Sequence, residues 1–167
     1  MGWLFGWDTR KTLVDHLISG NGVKTIKSCS VGNNLMAVQE YQNKENQTIR
    51  FACVYLIKGP PFGRDDGYGW GYKDVDESMG PNEIAFPLAW LDLLSPTDSQ
   101  YALDWRKAVR ERGEKLQSAK QGSKWKGFGH VFEIIMRRSP TSFRATDEDG
   151  MGWRLTAKNI LSMEPTT

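Results

Sequence analysis

A chain of 167 residues with 39% hydrophobic and 25% charged residues has a globular composition, which argues against disorder over most of its length; it leaves room for one core, or a medium core plus a small satellite, and makes two full domains a squeeze. The formal net charge is only +2, yet the residues up to Trp105 hold 9 Lys and Arg against 13 Asp and Glu, whereas those from Arg106 onward hold 13 against 7. A basic second part is the electrostatic footprint expected where a polyanion is met, and it is equally the mark of a solvated surface that its acidic partner segment attracts.

The opening MGWLFGWDTRK has no basic start before its apolar residues and is charged by Asp8, unlike a secretory signal. Gly6 stands where a myristoylation signal needs Ser or Thr. No stretch approaches the roughly 20 apolar residues of a membrane span, so the expected location is cytoplasmic. From Asp8, a plausible N-cap, Leu13, Val14, Leu17 and Ile18 recur at helical spacing until the Gly20-Asn21-Gly22 stop, which predicts a short amphipathic helix over 8–19 with His16 off its apolar stripe.

Three strands are expected next, over 23–31, 35–41 and 48–58, separated by short turns of Gly and Asn character that suit an antiparallel meander. The third has apolar residues on both faces, which makes it a central strand with a helix covering one side. Cys29 and Cys53 lie in these strands without ligand spacing and read as buried thiols of a reducing compartment. Residues 59–81 are rich in Gly and Pro and read as an irregular loop. A short helical run over 87–94 precedes a long helix over 96–119, with Ser95 as N-cap and Pro96 at the first helical position.

The outer face of that helix and the segment after it read as a basic connector. Beyond it, short strands over 128–136, 142–146 and 152–156, divided by the acidic turn Asp147-Glu148-Asp149-Gly150, predict a small SH3-like barrel or a three-stranded sheet. The expected fold class is therefore α+β. An antiparallel meander with covering helices fills residues 1–120, and a small basic β-rich module fills 121–167.

The run GYKDVDESMGP at 71–81, the run LDLLSPTDSQYALDWRKAVR at 91–110 and the MGW start together are similar to an uncharacterised family of small proteins carried by phages, plasmids and conjugative elements. The resemblance covers about the first two-thirds of the chain, and family members follow it with a variable basic β-rich tail. It implies a mobile-element accessory protein and assigns no catalytic residues. GRDDGYGW at 63–70 is longer than the family's usual lead-in.

Among chemical constellations, Asp74, Asp76 and Glu77, with Asp65 and Asp66 nearby, are the candidate oxygen ligands for Mg²⁺, which would serve a metal-dependent nuclease or phosphoesterase. The spacing is not that of an EF-hand and no catalytic partner motif accompanies it, so turn-capping is the simpler role. Tyr68, Trp70 and Tyr72 alternate with glycine and form a candidate partner-binding loop, with packing against the core as the alternative. With only His16 and His130 in the chain, nucleophilic catalysis finds no strand-turn-helix setting.

The basic tract interleaved with aromatics supplies the candidate nucleic-acid contacts: Arg106, Lys107, Arg110, Lys124, Trp125, Lys126, Arg137, Arg138 and Arg144, with phosphate neutralisation by the cations and stacking on the rings. Phosphate contacts position without specifying sequence. The expectation is a non-enzymatic protein that needs no cofactor and binds nucleic acid or a host nucleoprotein, with antagonism of a restriction or CRISPR defence as the biological setting. The alternatives are the metal-dependent nuclease and a purely protein-binding inhibitor.

Overall fold

The structure is a computed structural model that describes residues 3–7, 24–31, 34–58, 68–74 and 83–167; the expected helix over 8–19 lies outside them. The chain divides into two compact units, Met1–Val109 and Arg110–Thr167, each with its own antiparallel five-stranded sheet. The fold class is α+β, as expected. The boundary falls inside the long helix and not at residue 120, because Leu116 and Ala119 pack into the second core.

The first sheet has the order β1-β5-β4-β3-β2, built from β1 (Trp3–Trp7), β2 (Lys24–Val31), β3 (Asn34–Gln42), β4 (Thr48–Lys58) and β5 (Tyr68–Asp74). The β3–β4 register is unbroken from Asn34↔Leu56 to Gln42↔Thr48. Asn43 fixes it: its Oδ1 accepts from the N–H groups of Glu45 and Gln47, both at 2.9 Å, and the positive φ of Asn46 turns the chain as Asn tolerates.

β4 lies at the centre of the sheet, and burial on both faces follows. Met36, Val38, Ala52 and Val54 pack beneath Phe86, Leu91, Ala102, Trp105 and Val109, while Leu35, Ala37, Gln39 and Cys53 are buried on the opposite face. Gln39 is tolerated there because its amide donates to Thr25 Oγ1 at 3.0 Å and its carbonyl accepts from Cys53 Sγ at 3.2 Å; a buried amide left unpaired would be costly. Cys53 is buried, whereas Cys29 is only half-buried, and both are free thiols.

Two 3₁₀ turns, Glu83–Ala85 and Leu88–Leu93, lead to α1 (Gln100–Ser118). The helix starts later than Ser95-Pro96 predicts. Ser95 is held extended against β4: its N–H donates to Arg50 O at 2.9 Å and its Oγ accepts from Arg50 N at 2.9 Å. Ser99 caps the helix instead, its Oγ accepting from Ala102 N at 3.4 Å.

The second sheet has the order β10-β6-β7-β8-β9, from β6 (Lys124–Gly127), β7 (His130–Ser139), β8 (Ser142–Thr146), β9 (Gly152–Thr156) and β10 (Glu164–Thr166). It is five-stranded where three strands were expected, because β6 was read as part of the connector and no strand was expected beyond 152–156. A tight turn with Phe128 and Gly129 both at positive φ joins β6 to β7, the backbone that two-residue hairpin loops require. β7 pairs with β6 through its first residues and with β8 through its last, Glu133 facing both Lys124 and Thr146. α2 (Ala157–Ser162) starts on a capping box in which Thr156 and Asn159 satisfy each other's backbone N–H. Trp125, Phe132, Ile134, Phe143, Leu155, Ile160 and Met163 close the core.

Candidate nucleic-acid interface

Alternation along the strands of the second sheet sorts its side chains into two faces. Trp125, Phe132, Ile134, Phe143, Ala145 and Leu155 are buried; between them Lys124, Lys126, Glu133, Arg144 and Arg154 are exposed. The register sets which exposed charges meet, since directly opposite residues have Cβ atoms about 4.5–5.5 Å apart. Lys124 faces Glu133 and Lys126 faces Glu164, so each lysine has an acid opposite it in register, though neither pair closes to ion-pair distance. Arg144 faces Met136 on one side and Arg154 on the other.

Like charges placed directly opposite destabilise a sheet. Among the described residues neither the Arg144 nor the Arg154 guanidinium has a hydrogen-bond or ion-pair partner. The acid nearest by register, Glu133, stands opposite Lys124 and Thr146. Around the two guanidinium groups lies an open groove of about 380 Å³ lined by Ile135, Met136, Arg144, Gly152, Trp153 and Arg154. Gly152 leaves space there, since a Cβ built on it would meet nothing within 4 Å.

The remaining basic candidates are dispersed by structural duties. Trp125 is 1% exposed and donates its indole N–H to Ser123 Oγ at 2.9 Å, so it is a core residue and not a stacking platform. Arg137 donates to the carbonyls of Leu116, Ser139 and Pro140 and lies 5.4 Å over the Phe143 ring, so it binds its own backbone and has few donors left for a phosphate. Arg106 donates to Ser95 O at 2.9 Å and, with the exposed Lys107, belongs to the first unit; Arg110 begins the second. Arg138 is exposed at the end of β7. Arg154, Met136 and Ile135 were not foreseen; the signal for Arg154 was its position in a strand that forms a hairpin with Arg144.

The glycine and aromatic alternation of Tyr68, Trp70 and Tyr72 is not a loop. It forms β5, hydrogen-bonded between β1 and β4, and its period of two was the strand signal. Asp74 ends that strand opposite Cys53, whereas Asp65, Asp66, Asp76 and Glu77 lie outside the described residues. Among the described residues no group of three or more His, Cys, Asp and Glu side chains is placed to hold a metal ion, and no helix is long and apolar enough to cross a membrane.

The acidic turn after β8 is structural. Asp147 accepts from the Trp153 indole at 2.8 Å and from the N–H groups of Met151 and Asp149 at 2.8 and 3.1 Å. These bonds, the indole first, hold its carboxyl below the usual value against the opposing effect of desolvation. Glu148 accepts from Val131 N at 2.8 Å. His130 Nδ1 stands 3.5 Å from Glu148 and 4.0 Å from Asp147, with its ring against Phe132 and Trp153. No family model, curated protein or solved structure matches the chain.

Proposed function

We propose that the protein is a non-enzymatic nucleic-acid-binding protein that meets DNA, RNA or a nucleoprotein complex through the exposed face of its second sheet. The observation that supports this is the facing pair Arg144 and Arg154, without an acidic partner among the described residues, on a face where the lysines each have a glutamate opposite them in register. A phosphate would relieve their repulsion and accept from both planar guanidinium groups. The resemblance of residues 71–81 and 91–110 to mobile-element proteins supplies the setting: a cytoplasmic accessory factor that blunts a restriction or CRISPR defence. A meander of four strands whose fifth returns, after a short helix, beside the first has the connectivity of a small SH3-like barrel and favours that finer reading of the second unit.

A salt titration of binding to short single- and double-stranded DNA and RNA tests the proposal. The full chain is compared with a variant carrying Arg138→Gln, Arg144→Gln and Arg154→Gln. Affinity should fall linearly in log–log form with salt, and the variant should lose up to about one unit of slope for each phosphate contact removed. A wild-type chain that binds no nucleic acid at moderate salt overturns the proposal and turns attention to a protein partner.

A further inference from the structure

We infer that the groove between Arg144 and Arg154 seats one nucleotide of a single strand, the arginines taking the phosphate and Ile135 with Met136 taking the base. The inference rests on the nucleic-acid reading above and names the strand state that it leaves open.

Two features decide between single strand and duplex. The first is the apolar surface beside the charge: Ile135 is 45% and Met136 49% exposed, both line the groove, and Met136 stands directly opposite Arg144. A duplex offers a protein its phosphates, sugars and base edges while the faces of its bases are stacked away, so apolar side chains beside a phosphate seat gain less from it than from an unstacked base. A single strand presents base faces that can lie on apolar and aromatic side chains next to a cationic track. Trp153 adds to that surface, since it lines the groove and is 41% exposed, but its ring is already engaged with Phe132 and His130 and its N–H is held by Asp147, so the mobile part of the seat is Ile135 and Met136.

The second feature is size. About 380 Å³ falls at the small end of the roughly 300–1,000 Å³ of ordinary ligand sites, which suits one nucleotide unit and not the breadth of a double helix. Methionine is flexible and polarisable, so the seat should tolerate any base. Glycine at 152 leaves the approach open.

Binding of labelled oligothymidylate, oligouridylate and a duplex of the same length, each with inorganic phosphate as competitor, tests this on the full chain. Three proteins are used: wild type, the Arg144→Gln/Arg154→Gln double variant and Met136→Ser, with circular dichroism confirming that each is folded. Wild type should prefer the single strands by about tenfold, the size of one stacked base. The double variant should lose binding to every nucleic acid, and Met136→Ser should weaken the single strands several-fold while leaving the duplex unchanged. Equal binding of single strand and duplex overturns the inference. So does a double variant that binds as wild type does, a result that leaves the nucleic-acid reading standing and moves the contact elsewhere. Millimolar phosphate displacing the oligonucleotides completely reduces the groove to a bare anion site and also overturns it. A wild type that binds none of the three defeats the underlying reading as well.

Discussion

The two sheets treat a row of cross-strand cations in opposite ways. In the first, Lys24, Glu40 and Arg50 stand in register across β2, β3 and β4, and the carboxylate sits 3.3 Å from Lys24 and 3.0 Å from Arg50. The Arg50 hydrogen bond holds the Glu40 carboxyl below its ordinary range. In the second, Met136, Arg144 and Arg154 occupy the equivalent row across β7, β8 and β9 and no acid intervenes. A chain that places a carboxylate between cations in one sheet has the means to do so in the other. Among the described residues none is placed there, which is the contrast the proposed polyanion contact draws on.

The comparison also separates a sheet buried on both faces from one buried on a single face, and Trp125 tests that division most strongly. As a core residue at 1% exposure, it should cost about 3–5 kcal/mol when replaced by Ala. As a surface platform it would cost within about 0.5 kcal/mol. Urea unfolding followed by circular dichroism distinguishes the two, and a small loss would move Trp125 to the open face.

Acid probes the turn that ends β8. Because the Asp147 carboxyl is held below its ordinary value of 3.8, its contribution is complete above that value, where the unfolded chain is also ionised. It is lost as pH falls through the lower native value. The wild-type urea midpoint should therefore drop more steeply than that of Asp147→Asn between about pH 5 and pH 2. Parallel profiles would show that the indole and amide bonds to Asp147 do not favour its charged form.

The smallest expected effect on stability tests the facing rows directly. Arg154→Glu places a carboxylate directly opposite Arg144 and should stabilise the fold by about 0.2–1 kcal/mol, the range of an opposite-charge cross-strand pair. The same change should weaken nucleic-acid binding. Destabilisation by this variant would show that the two arginines do not repel in the folded chain.

Much of the fold was legible because period-two hydrophobicity between turn residues identifies a strand without further information. The strands over 48–58, 142–146 and 152–156 fall where that pattern places them. β5 was not read as a strand, because its glycines masked the alternation. β6 failed for another reason: in Lys-Trp-Lys-Gly one apolar residue carries the whole pattern, and its charged neighbours gave the segment the texture of a connector. Ser95 misled through its long-range bonds to Arg50, which local capping preference does not contain. The candidate interface was legible as a tract and not as a site. Burial removed Trp125, and local hydrogen bonds reduced the part of Arg137. The pairing of Arg144 with Arg154 depends on hairpin register, which residue spacing alone leaves undetermined.

The unopposed arginine pair ties ionic strength to two quantities with opposite signs. Added salt screens the repulsion between Arg144 and Arg154 and so favours the folded chain, while it competes with the phosphate that the same pair would hold. A polyanion bound there would remove the repulsion and leave the stabilisation it brings to weaken as salt rises. Melting temperature against salt should then rise in the free protein and flatten or fall in the complex, so that the fold itself reports whether the groove is filled.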